Sequence, residues 1–130
     1  MVTRVPRLIL ALAGLVQLAC AVIHAAAFSR ADAAFAGSNL RPLFANSARA
    51  LWLGDSTTLA VVAVLCGLIA MWPSAASRAV VIFLAFIPAL TALLIYVFLG
   101  VFFAAHLLLI SAVAMFFAGL KFPGIPMKVG

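Results

Sequence analysis

Glutamate is absent from this chain, and aspartate occurs only at Asp32 and Asp55. Charged residues make up 8% of the 130 positions and hydrophobic residues 69%. A soluble domain carries about 25% charged and about 45–50% apolar residues. The shortage of charge therefore excludes a water-soluble globule, as does a mean hydropathy of +1.39. Cysteine is scarce as well, with only Cys20 and Cys66. Counted along their apolar runs, the two differ in depth by roughly 12 Å of helical rise. That is too far for a disulfide, so both are read as small core residues.

The bases have almost nothing to oppose them, and the net charge is +6. A basic chain can point to nucleic acid. Here the Arg and Lys residues are scattered between apolar runs and form no patch, so no nucleic-acid partner is expected. Membrane topology accounts for them better.

What the chain has in abundance is long apolar runs. Four reach the roughly 20 residues a transmembrane helix needs, at about 8–28, 50–71, 78–98 and 101–120. All should be helical, because backbone groups in lipid must be hydrogen-bonded within their own segment. The chain is thus predicted to be all-α, a single four-helix membrane domain over residues 1–130, with the bilayer as its first partner. The first run resembles a signal peptide, with Arg4 and Arg7 before it and Ala25, Ala26 and Ala27 near its end. Its apolar length, about 21 residues, exceeds the usual signal-peptide core, which favours a retained span.

Arg4, Arg7, Arg78, Lys121 and Lys128 fall on one side of these spans. Arg30, Arg41 and Arg49 fall on the other, together with both aspartates. The positive-inside rule then puts both termini in the cytoplasm, as expected for a multi-pass protein of a bacterial inner membrane. The connection at about 29–49 reads as the one long loop, with turn signals from Gly37 to Pro42. The stretch after Pro42 looks helical, either lying in the interface or forming the outer end of a long second helix. Gly100 marks a tight turn between spans three and four. Pro88 should kink span three, as a static bend or as a hinge. The tail from Lys121 to Pro126 carries two prolines and should not form a fifth helix.

Two histidines, His24 and His106, lie inside apolar runs. An ionisable group in hydrocarbon is costly unless paired, so such residues are functional candidates. Gln17 projects within about 20° of His24 on the same helix face. His24, His106, Asp55 and Tyr96 all fall roughly 3–9 Å from the outer end of their spans, and Trp52 fits the interfacial aromatic belt there. Asp55 has two readings: an N-cap in Gly54-Asp55-Ser56-Thr57-Thr58, or an acid embedded in a longer helix.

Three chemistries fit His24, His106 and Asp55 with Trp52, Tyr96 and Gln17 nearby. Two imidazoles are a haem ligand set. Two imidazoles with Asp55 are a transition-metal ligand set. A histidine paired with Asp55 can bind the headgroup of a quinone or a lipid. The bland alternatives are packing, with Gln17 bonding across helices and Gly14 allowing close approach, and a snorkelling histidine. An accessory subunit of a larger membrane complex, or a small oligomeric transporter, is equally compatible with the composition. A dedicated di-metal carboxylate bundle is not, since no Glu-x-x-His is present.

Two segments carry a resemblance. The run Arg7-Leu8-Ile9-Leu10-Ala11-Leu12-Ala13-Gly14-Leu15-Val16, opening a chain of four spans, resembles the start of DoxX-like small bacterial membrane proteins. Ala48-Arg49-Ala50-Leu51-Trp52-Leu53-Gly54 is similar to a segment in related four-helix families. The resemblance implies a four-helix bundle, sometimes associated with quinone-linked redox systems. It carries over no catalytic residue.

Overall fold

The computed structural model describes residues 3–123. The expectations for the tail beyond Pro123, and for the charge of Lys128, fall outside these residues. The described chain is all-α, with helices α1 (Arg4–Ala26), α2 (Phe28–Ala36), α3 (Pro42–Met71), α4 (Arg78–Leu99) and α5 (Phe103–Leu120). Four helical stretches are long and apolar enough to cross a membrane, with α1 and α2 counted as one.

Local chemistry explains the ends. Pro42 opens α3 at its first residue, where a missing N–H costs nothing. Trp72-Pro73 closes it, because the residue before a proline is driven out of the helical region. A single 3-10 turn, Pro73–Ala75, leads to Ser77, whose side chain accepts from the Val80 amide and caps α4. Gly100 ends α4 at φ 74° and ψ −150°. The positive φ is as the sequence predicts, but the ψ lies beyond the left-handed helical well, in a region essentially open only to glycine. Pro88 is buried inside α4, which runs helical on both sides of it.

The first connection differs from its expectation as a loop over about 29–49. Only residues 37–41 are non-helical between α2 and α3. Residues 28–36 contain neither Gly nor Pro, and Pro42 favours a helix start, so helix is the natural state on both sides. Span two therefore begins at Pro42 rather than near residue 50. Its 30 residues make a rod of about 45 Å, longer than the roughly 30 Å hydrocarbon layer.

The helices run up and down. α1 packs against α3 and α5, and α5 against α4, whereas α3 and α4, though consecutive, make at most marginal contact. The tight crossings fall at glycines. A Cβ on Gly14 would stand 2.9 Å from Cys66 Cβ and 3.1 Å from the Ala63 carbonyl, and one on Gly119 would stand 3.0 Å from Ile82 Cγ1. Small residues at such points let membrane helices approach closely.

The buried interior has two apolar layers. One, at the end bearing Arg4, Arg7, Arg78 and Lys121, includes Leu10, Val62, Val81, Met115 and Phe122. The other, at the far end, includes Cys20, Leu59, Ala92, Ala105 and Leu108. Both cysteines are free thiols. Between the layers, Gln17 Nε2 donates to Ser111 Oγ at 2.9 Å, and Ser111 Oγ donates to the Ala13 carbonyl at 3.2 Å. At the basic end, Arg7 donates from Nε to the Ala70 carbonyl at 2.7 Å. It thereby satisfies a terminal carbonyl of α3 and sets a cation at the negative end of that helix. Large apolar side chains such as Leu8, Phe83 and Phe98 point outward, giving a surface suited to lipid contact.

Candidate functional site

The far end of the bundle holds the polar cluster. Asp55 is the acid embedded in a continuous helix, not a cap, because α3 begins thirteen residues before it at Pro42. Trp52 and Asp55 are three residues apart on one face of α3, and that face meets the last turn of α1, where His24 sits. His24 Nε2 lies 3.7 Å from Asp55 Oδ2. That separation is too long for a hydrogen bond, and Nε2 is itself buried with no partner. Both side chains are about one-third exposed overall. The imidazole opens on one side while its inner nitrogen waits beside a carboxylate.

Trp52 fixes this geometry. Its ring stacks on His24 with centroids 4.3 Å apart and planes 19° from parallel. Its Nε1–H donates to the His24 main-chain carbonyl at 2.9 Å. This carbonyl is in the last turn of α1, where helical acceptors lack intrahelical donors. The indole also meets Phe35 of α2 in a T-shaped contact, with centroids 6.5 Å apart and planes at 73°. α2 is anchored there by the ion pair of Arg49 with Asp32. Arg49 also donates from Nη1 to Asn46 Oδ1 at 2.9 Å. The result is an aromatic cluster of His24, Trp52 and Phe35 spanning three helices, with Asp55 beside His24.

The other candidates fall elsewhere. His106 is exposed on α5; its Nδ1 lies 3.0 Å from the carbonyl of Phe102, one turn earlier. Its ring meets Tyr96 of α4 edge-on at 5.5 Å. The two histidines thus enter separate pairs, one between α1 and α3 and one between α4 and α5. The set His24, Asp55 and His106 is not assembled: among the described residues no three His, Cys, Asp or Glu side chains gather to hold a metal ion. The physical reason is helix rotation. Ala105 and Leu108 of α5 turn inward, which carries His106 outward.

Gln17 shares a helix face with His24, as its spacing predicts, but it is spent on Ser111 in the middle of the bundle. Its Oε1 is buried without a partner. Phe35 was not signalled by the sequence, because it lies in a stretch that reads as loop. The absence of breakers across residues 28–36 is the signal that points to α2.

The chain matches no family model, no curated protein and no solved structure.

Proposed function

We propose that the protein is a small multi-pass protein of the bacterial inner membrane, with both termini cytoplasmic, that binds the headgroup of a quinone-class amphiphile at His24, Asp55 and Trp52. The observation that carries this reading is the buried, unbonded Nε2 of His24 beside the Asp55 carboxylate. In its Nε2–H tautomer the imidazole donates to a ligand oxygen, and Asp55 accepts from a ligand hydroxyl. Trp52 supplies a rigid aromatic wall. The site lies beside the last turn of α1, where an amphiphile would place its polar head while its tail remains in hydrocarbon. The resemblance to DoxX-like proteins supports a redox-associated role in the same direction.

The test is the amount of quinone retained after purification from quinone-containing membranes. His24→Ala and Asp55→Asn should each lower it about tenfold or more, the loss of one charge-assisted hydrogen bond, and His106→Ala should leave it unchanged. Equal retention in wild type and His24→Ala overturns the reading. A Soret band lost in both His24→Ala and His106→Ala would replace it with haem binding.

A second reading, a non-catalytic subunit or homo-oligomer, is favoured by one face of α3. Ala50, Gly54 and Thr58 recur every four residues there, all exposed, and a Cβ on Gly54 would meet nothing within 4 Å. Stoichiometric co-purification of a larger membrane protein, lost in Gly54→Leu, would support it.

A further inference from the structure

At the opposite end of the molecule, the outer surface between α4 and α5 carries a groove of 340 Å³. Phe86 and Ala89 of α4 and Val113 and Phe117 of α5 form its walls, and the buried Ala85 and Ala112 form its floor. Every lining side chain is apolar. The groove exists because small residues face each other across this crossing while aromatic rings rise on either side.

Two cations flank the lining residues at the basic end of both helices. Arg78 is one helical turn before Ile82, which lines the groove, and Lys121 is one turn after Phe117. Residues four apart share a helix face. The chain directly after Lys121 folds back onto the start of α4: Arg78 donates from its backbone N–H to the Pro123 carbonyl at 2.9 Å and from Nε to the Phe122 carbonyl at 3.1 Å. Both side chains are exposed. Among the described residues neither is paired with a side-chain carboxylate, because Asp32 lies on Arg49 and Asp55 beside His24 at the far end.

We propose that this groove is a binding site for an anionic phospholipid, with its phosphate between Arg78 and Lys121 and one acyl chain along Ala85 and Ala112. The dimensions agree. From Arg78 to Ala89 is about 16 Å of helical rise, close to half of the roughly 30 Å hydrocarbon thickness, so the groove runs from one interface to the bilayer midplane. The charge selects the headgroup. A zwitterionic lipid brings an ammonium that needs an anion, and neither aspartate is at this end. A phosphatidylglycerol headgroup brings one net negative charge to two unpaired cations. Basic pockets between membrane helices hold anionic headgroups in this way.

The experiment is lipid retention. Full-length protein is reconstituted in vesicles of equal phosphatidylglycerol and phosphatidylcholine and released in mild detergent, and bound lipid is counted by native mass spectrometry. Wild type should retain phosphatidylglycerol preferentially. Lys121→Gln should lower that preference about fivefold, and Arg78→Gln with Lys121→Gln about thirtyfold. Ala89→Phe, which fills the groove, should lower retention of both lipids. Arg30→Gln, at the far end, should change nothing. Arg78 also bonds the chain after α5, so Lys121→Gln alone decides if the double variant does not fold. Retention without headgroup preference in wild type, an unchanged preference in Lys121→Gln, or unchanged retention in Ala89→Phe overturns the proposal.

Discussion

Trp52 holds His24 twice: its indole N–H donates to the His24 carbonyl at 2.9 Å, and its ring stacks on the imidazole at 4.3 Å. The hydrogen bond satisfies an orphan carbonyl at the end of α1 and fixes how far α1 reaches along α3. The stack fixes the rotation of the imidazole, so that Nε2 faces Asp55. The site is therefore positioned by a residue whose own polar atom takes no part in its chemistry.

Trp52→Phe separates the two functions. It keeps an aromatic wall and removes the donor, and should cost about 1 kcal/mol in reversible unfolding in detergent, while retained quinone falls only in part. Trp52→Ala removes wall and donor together and should abolish retention as fully as His24→Ala. Wild-type retention in Trp52→Ala would remove the indole from the site.

Ser111 joins α5 to α1 through both Gln17 and Ala13. Ser111→Ala leaves the Gln17 amide without a partner in the middle of the bundle, and should cost about 1–2 kcal/mol, the upper end for such bonds in membranes. Adding Gln17→Met removes the stranded amide and should recover most of the loss. A double-mutant cycle on unfolding free energies checks this; additivity of the two changes would show that the bond carries no coupling.

Gly14 and Gly54 make opposite predictions for the same substitution. Gly14→Ala drives a Cβ against Cys66 and the Ala63 carbonyl and should cost about 1–3 kcal/mol as overpacking. Gly54→Ala enters open space and should be neutral or stabilising by up to about 1 kcal/mol, through helix propensity. Thermal midpoints of the two variants in one detergent give the comparison.

Asp32→Asn releases α2 from Arg49 without touching the bundle. A half-buried surface ion pair of this kind is worth about 1 kcal/mol, so global stability should hardly change. Amide exchange across Phe28–Ala36 should rise selectively, with the exchange of α4 and α5 unaltered. Equal protection of α2 in both proteins would show that Phe35 on Trp52 suffices as its anchor.

Gly100→Ala tests the turn between α4 and α5. With φ at 74° and ψ at −150°, an alanine is strained by about 1–3 kcal/mol even though no atom lies within 4 Å of its Cβ. A matching drop in unfolding free energy is expected. An unchanged value would mean that the turn relaxes into another conformation at no cost.

The sequence by itself determined the number of long apolar helices and most of their ends, the start of α3 at Pro42 excepted, because hydrophobic length and proline position act locally. It also put His24, His106 and Tyr96 near the ends of their helices, because helical rise converts residue number into depth; Asp55, counted as close to the start of its span, lies thirteen residues inside α3 instead. It could not determine rotation about each helix axis or which helices adjoin. Those depend on which small residues meet: Gly14 against Ala63 and Cys66, and Gly119 against Ile82. Packing brought His24 to Asp55 and Trp52, turned His106 outward to Tyr96, and left Gln17 bonded to Ser111. Depth is a property of a single helix and is legible along the chain; facing is a property of a pair of helices, and only the tertiary structure decided it.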